Sequence, residues 1–405
     1  MYTASNLTAP RPMMTPDGEP SSSDWSLTPT KVHLNHGSYG SVPRAAQEFQ
    51  LELKVRMESN PCTWFMGQYN AVAAARTEVA AFLGVDAAHV ALVQNASAGV
   101  SAVYNSLEFA PGSEIVMTNH AYGAVLHGAY RVAGRYGGRV RIAEVPLDAD
   151  AVTAIALVMA EVSNKTALIV VDQITSATAR AFPVEAIAEA ASAKGIPVLV
   201  DGAHAPGILE SPVPDFDGFW VGNLHKFACA PRGTAALVAR GPHANKLTPL
   251  IDSWGFPHSF PENFDHVGTQ DVTSWMAAGT SFNTIAQRYS WGTFRSYANA
   301  LCDYGESLIG SAFADFTGQD HTVDVGMPVG PLRLVRLPQG LATTHEDSHN
   351  VRAFISDELD IETAVTTHNG EGFLRLSAHL YNSPTDFEIF AAKAVPELVR
   401  LARSL

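Results

Sequence analysis

Val198-Leu199-Val200-Asp201-Gly202-Ala203-His204 reads as a buried strand that ends on a carboxylate. An unbroken apolar run of this kind belongs to a strand covered on both faces, which is the habit of parallel sheets. A carboxylate held there as an ion needs a cationic partner, because its desolvation is otherwise uncompensated. A second run, Phe219-Trp220-Val221, leads into Gly222-Asn223-Leu224-His225-Lys226-Phe227. An amine at the end of a buried strand is pushed toward its neutral form, the form that attacks a carbonyl to give a Schiff base. On its own the His225-Lys226 pair reads better as part of a surface loop. The company of Asp201, one strand-loop-strand excursion earlier, places both groups at one edge of a sheet.

Working outward, strand and helix patterns alternate. Strands are expected at 90–93, 114–118, 139–145, 166–171, 196–200, 219–221 and 234–238, with helices at 71–83, 100–107, 122–136, 151–162 and 184–194. Such alternation specifies an α/β chain with an open, mostly parallel sheet covered by helices. In these sheets ligands gather at the carboxyl ends of the strands. Asn95, Tyr122, Ser176, Asp201 and Lys226 all fall there or at the start of the next helix. The small-residue turn Asn95-Ala96-Ser97-Ala98-Gly99 offers backbone N–H groups and a positive helix end to a phosphate, although the same residues make an ordinary N-cap. A phosphate cup, a buried Asp and a strand-end Lys, in that order, describe a site for pyridoxal phosphate.

The rest of the chain bounds this reading. With 405 residues, 46% hydrophobic and 16% charged, it is a globular protein of two or three domains. The net charge of −14 disfavours nucleic acid and anionic membrane as partners, and no apolar stretch is long enough to span a bilayer. Three widely spaced cysteines, Cys62, Cys229 and Cys302, point to a reducing, cytoplasmic setting without a disulfide framework. Residues 1–30, rich in Pro, Ser and Thr, lack the pattern of a signal peptide and are expected to be a flexible leader. Residues 31–285 form the large α/β domain, and 286–405 a smaller α+β domain with strands at 331–337 and 373–377. Between them 252–284 reads as loop. At Asn60-Pro61 the helical spacing of 45–57 is broken, and Trp64, Phe65 and Tyr69 then form a core cluster or a pocket wall. His345-Glu346-Asp347-Ser348-His349 fits a zinc-protease pattern, but its polar surroundings read as the first turn of a surface helix, so no metal site is expected.

Asn35-His36-Gly37-Ser38-Tyr39-Gly40, Gln94-Asn95-Ala96-Ser97, Asp201-Gly202-Ala203-His204-Ala205-Pro206-Gly207, His225-Lys226 and Leu374-Arg375-Leu376-Ser377 with Tyr381-Asn382 carry a resemblance. Over residues 34–398 the chain resembles the class V aminotransferases of fold type I, and within them the group similar to isopenicillin N epimerase. That resemblance implies pyridoxal 5'-phosphate bound to Lys226 as a Schiff base, with Lys226 later moving the α-proton. It also implies that Asp201 pairs with the pyridine nitrogen and His204 sits near the phenolic oxygen. Ala96 and Ser97, helped by Asn223 and His225, would hold the phosphate. Tyr122 would stack on the ring, with His120 as its rival, and Ser176 would approach the phenolic oxygen. Thr269 would come from the other subunit of a homodimer with shared active sites. Arg375 would grip the substrate carboxylate, with Asn35 beside it. Asn223 and Ala179 depart from the family's usual Ser and Gly, and Gln68 stands where relatives often carry a basic residue near the site entrance.

The implied activity is epimerisation at Cα of an amino acid or an amino-acid-derived substrate. A carbon-sulfur lyase or β-eliminase and an aminotransferase stand as alternatives, and a catalytically silent binding subunit of the same fold is a further one. No cysteine lies in 366–372, the stretch before Arg375, where a cysteine desulfurase would need a mobile one.

Overall fold

Seven strands build the sheet that this alternation calls for: β1 (Val90–Val93), β2 (Glu114–Thr118), β3 (Arg139–Ala143), β4 (Thr166–Asp172), β5 (Val198–Asp201), β6 (Phe219–Asn223) and β7 (Ala235–Ala239). Their order is β1-β7-β6-β5-β4-β2-β3. The pairs β2–β3, β2–β4, β4–β5 and β5–β6 are parallel, each joined through helical crossovers or longer excursions. β7 runs antiparallel to both β6 and β1. The link 224–234 holds no helix and is too short to carry the chain back for a parallel return. Every residue of β1, β2, β5, β6 and β7 is buried, as the continuous apolar runs require. In the β4–β5 register Asp172 stands opposite Asp201, so two carboxylates end adjacent strands side by side.

The computed structural model describes residues 8–405. Its larger compact unit contains this sheet and comprises Val42–Ser176 with Ala181–Thr284. Two expectations are corrected within it. Asn60-Pro61 does end the helix Arg44–Ser59, as expected, but the next helix spans Pro61–Leu83 rather than starting at 71: Pro61 takes its first turn, where the missing N–H costs nothing, and the Asn60 side chain accepts the Thr63 N–H at 3.1 Å. The expected loop 252–284 ends in two helices, Thr273–Met276 and Ala278–Arg288. Asp271 starts the first by accepting from the Thr273 N–H at 2.8 Å. Arg76, on the long helix, forks onto Asp265 at 3.2 and 2.9 Å and so ties that segment to the helix.

The other unit takes residues up to Ser41, the short piece Ala177–Arg180, and Ile285–Leu405. Glu371–Ser377 is the central strand of an antiparallel sheet between Ala364–His368 and Leu332–Arg336. Val32–His33 pairs in parallel with Ile361–Glu362, and the helices Trp291–Thr317 and Pro384–Arg403 pack together beside the sheet. Part of the expected flexible leader is anchored here. Trp25 is 1% exposed, among the rings of Tyr289, His379 and Tyr381, and Asp24 accepts from Arg288 at 2.8 Å. The aromatic side chain and the acid that seemed ordinary in a Pro/Ser/Thr-rich stretch supply a buried anchor and an ion pair. His345 and His349 lie exposed on the first turn of the helix His345–Leu359, opened by a capping box between Thr344 and Asp347.

Candidate active site

At the end of β5 the Asp201 carboxylate is 2% exposed and accepts the Ala203 N–H at 3.0 Å. Burial raises its pKa, against the pull of that N–H and of the Lys226 charge. Asp172 is pushed up further, first by burial and then by Asp201 itself. The Tyr122 backbone N–H donates to Asp172, whose Oδ2 has no partner in the protein. Two buried carboxyls side by side cannot both ionise cheaply, so both are held above the usual carboxylate range, Asp172 the further, and a cation placed beside them relieves that cost.

The glycines of Asp201-Gly202-Ala203-His204-Ala205-Pro206-Gly207 have steric reasons. A Cβ on Gly202 would lie 2.2 Å from the Trp220 indole nitrogen, which donates to Gln173 at 2.9 Å. Gly207, at φ +89°, would place a Cβ 2.6 Å from the Phe227 carbonyl oxygen. The turn therefore packs directly on the Phe227-Ala228 backbone. This close approach sets the Lys226 Nζ 3.1 Å from His204 Nε2, within hydrogen-bond distance, and His204 is buried.

At the end of β6, Asn223 accepts the Ala96 N–H at 2.8 Å, so it reaches the helix start through the backbone of the small-residue turn. Asn95 caps the helix Ala96–Ser106 by accepting from Ala98 N–H at 2.9 Å, and Ser97 places its hydroxyl on the first turn. His225 Nδ1 lies 3.1 Å from the Thr234 carbonyl oxygen, which can only accept, so Nδ1 carries the hydrogen. Burial, and secondly the Lys226 charge, push the His225 imidazole down to about 4. Tyr122, before the helix Gly123–Arg135, is 45% exposed, whereas its rival His120 is 2% exposed with Nε2 2.8 Å from the Val145 carbonyl. Ser176 is half-buried beyond β4, and Thr269 is exposed.

In the other unit Arg375 is 2% exposed on the central strand, and its guanidinium donates to Asn35 Oδ1 at 3.2 Å and Ser38 Oγ at 3.1 Å. The two residues expected at the substrate carboxylate therefore meet. Ala179 sits at φ 50°, the left-handed region, which is why glycine suits this position, and the following Arg180 is fully buried. Asp172 was missed by sequence reasoning. Its signal was present: Val170-Val171-Asp172 repeats the apolar-apolar-Asp ending of Leu199-Val200-Asp201 on a neighbouring strand.

Against known families, residues 40–312 match the model of Aminotransferase class-V. The chain belongs to the class-V aminotransferase family. It is similar to isopenicillin N epimerase of Streptomyces clavuligerus, 29% identical over 90% of this chain and 94% of that protein. It is also similar to hercynylcysteine sulfoxide lyase of Schizosaccharomyces pombe, 26% identical over 57% of this chain and 59% of that one. Among solved structures, a lysine-to-alanine mutant of C-DES with glycine covalently linked to its PLP cofactor superposes with a TM-score of 0.78 at 18% identity, covering 93% of this chain and 99% of that one. The fold is fold type I, and the cofactor of this family member is pyridoxal 5'-phosphate. The residues of the larger unit suit that group: a primary amine at a strand end, a buried carboxylate that lacks a matching cation, and N–H and hydroxyl donors at a helix start. Among the described residues, no helix is long and apolar enough to cross a membrane.

Proposed function

We propose that this class-V enzyme removes and returns the proton at Cα of an amino acid or amino-acid-derived substrate, as an epimerase of the isopenicillin N epimerase type. The observation that carries the reading is the Lys226 amine beside His204, at the same strand ends as the buried Asp201. Bound pyridoxal phosphate supplies an electron-accepting ring that weakens the bonds at Cα.

Lys226 would anchor the cofactor's aldehyde and carry the α-proton on one face. His204, beside that amine, would sit near the phenolic oxygen together with Ser176. Asp201 would hold the pyridine nitrogen as a cation, with Asp172, whose pKa burial raises, beside it. The Ser97 hydroxyl would hold the phosphate, joined by the Ala96 N–H once it exchanges its bond to Asn223 Oδ1 for a phosphate oxygen, with His225 beside them. Exposed Tyr122 rather than buried His120 covers the ring. Arg375 and Asn35 hold the substrate carboxylate, with the planar guanidinium fork fixing its orientation. The chain acts in the cytoplasm as a homodimer in which Thr269 serves the other copy's phosphate.

A second reading, carbon-sulfur bond cleavage, is favoured by the likeness to hercynylcysteine sulfoxide lyase; aminotransfer is the remaining chemistry of the family. Desulfurase chemistry has less support, because Cys229 and Cys302 are buried and Cys62 is on the long helix rather than before Arg375. Candidate amino acids incubated with the holoenzyme in deuterated water separate the readings. Deuterium at Cα with loss of optical purity supports the epimerase. Release of pyruvate or another keto acid with a sulfur leaving group replaces it by the lyase, and keto acid with amine left on the cofactor replaces it by the aminotransferase. Protein that stays colourless on reconstitution would rule out all three.

A further inference from the structure

The larger unit holds a cavity that the proposed chemistry does not use. A cavity of about 380 Å³ lies between the helices Arg44–Ser59, Pro61–Leu83 and Thr273–Met276. Trp64, Gly67, Gln68 and Ala71 follow the spacing of one helical face, and the two small residues leave the room that the two large ones line. Gln68 is 2% exposed, yet neither its amide oxygen nor its amide nitrogen has a hydrogen-bond partner, and the Trp64 indole nitrogen is likewise unpaired. Buried polar groups are left so only at a cost, and three of them around one cavity ask for a bound partner.

The chemistry of the lining narrows that partner. Trp64 and the Gln68 nitrogen are donors, and Arg56 adds a guanidinium that forms no ion pair among the described residues. One guanidinium with neutral N–H groups matches a single planar carboxylate better than a phosphate dianion. The Gln68 oxygen can only accept, so the ligand must bring a donor, a role that an N–H on the same molecule fills. Val272 and Met276 form an apolar wall suited to an aliphatic stem.

We propose that this cavity binds a carboxylate that carries an N–H donor on an aliphatic stem, the chemistry of an amino acid or an acylated amino acid. The inference goes beyond the proposed reaction and stands whichever bond at Cα is worked. Such a group can be the far end of a substrate or a separate molecule, and the test distinguishes them.

N-Acetyl-L-valine is the probe, since it has the carboxylate, the N–H and the stem but no free amine to react with the cofactor. Calorimetry on the holoenzyme should show one site per chain. Gln68→Leu and Arg56→Met should each weaken binding by about tenfold or more, as expected for loss of a buried or charge-assisted hydrogen bond. Arg375→Ala should leave it in place, and the uncharged methyl ester should not bind. Arg56 is exposed, so Arg56→Met carries the test if Gln68→Leu fails to fold. No binding, equal binding of the ester, or binding lost in Arg375→Ala but kept in the two cavity variants overturns the proposal. A raised KM with unchanged kcat in Gln68→Leu, for an amino acid that the wild type exchanges, assigns the carboxylate to the substrate's far end. An unchanged KM with lost probe binding assigns it to a separate molecule.

Discussion

Lowering the pH on the cofactor-free protein should leave His225 uncharged well after an ordinary histidine has taken a proton. Its Nδ1 hydrogen is committed to the Thr234 carbonyl at 3.1 Å, so Nε2 is the atom that would have to accept. Burial is the larger obstacle and the Lys226 charge the second, and they bring the group from 6.5 to about 4. That gap corresponds to about 3 kcal/mol between the charged and neutral forms. The folded-state value lies below the unfolded one, so the folded protein prefers the neutral ring. The stabilisation is complete above 6.5 and is lost as the pH falls toward 4, at up to about 1.4 kcal/mol per pH unit. NMR of ε1-labelled histidines reads the titration directly. His225→Asn identifies the resonance, because asparagine keeps a donor for Thr234 and cannot titrate. In Lys226→Met the value should rise but stay below 6.5, since burial is the first cause. A midpoint near 6.5 in the wild type, or one unmoved by Lys226→Met, would refute the reasoning. A functional corollary concerns the phosphate: neutral Nε2 has no hydrogen to give it. If His225 touches the phosphate, cofactor binding near pH 6 must take up a proton, and calorimetry in buffers of different ionisation enthalpy should show that uptake vanish in His225→Asn.

Four further outcomes are expected. Arg76→Met leaves Asp265, whose side chain is 0% exposed, without its cation, and should cost about 3–5 kcal/mol in thermal or denaturant unfolding; a loss of under about 1 kcal/mol would show the pair to behave like a surface bridge. Ala179→Gly removes a side chain from φ 50° and should stabilise by up to about 1 kcal/mol, read as a higher melting temperature. Gly207→Ala forces a Cβ into the Phe227 carbonyl and should reduce cofactor retention, measured by absorbance after gel filtration, while circular dichroism stays native. Asp172→Asn should cost little at acid pH, because the carboxyl it replaces is uncharged there. A raised folded-state pKa means this group's contribution to stability is fully present below the unfolded value of 3.8 and declines as the pH climbs from there through the folded-state value, so the variant should flatten that decline; parallel melting curves would count against the assignment.

How far the sequence revealed all this depended on whether a signal was local. The strand runs of β1, β2, β5, β6 and β7 are short, apolar and fully buried, so periodicity alone found them. Lys226, Asp201 and His204 were legible because each follows such a run. Asp172 follows one too, but its meaning comes from register with Asp201 across two strands, which no single stretch displays. The break at Asn60-Pro61 was legible because proline cannot continue a helix interior, but that Pro61 itself opens the next helix, ten residues before the expected start at 71, depended on the cap geometry at Asn60. Trp25 and Asp24 looked like leader because their partners, Tyr289 and Arg288, lie far along the chain. Gln68 was noticed as a departure, but that its amide is buried and unpaired could be seen only in the fold.

The Asp201-to-Gly207 motif shows why family signatures mix reactive and inert residues. Asp201 and His204 offer groups that a cofactor can use, whereas Gly202 and Gly207 have no chemistry at all. Gly202 exists so that Trp220 can lie against the strand end and reach Gln173, and Gly207 so that the turn can touch the backbone beyond Lys226. Those two contacts fix the strand end from both sides. The 3.1 Å approach of Lys226 to His204 therefore depends on atoms that never meet a substrate. A side chain added at either glycine must move the amine or the imidazole, and at a reacting centre a displacement of about 1 Å is enough to cost two orders of magnitude in rate. The specificity of the motif thus lies as much in what its glycines omit as in what its acid and imidazole supply.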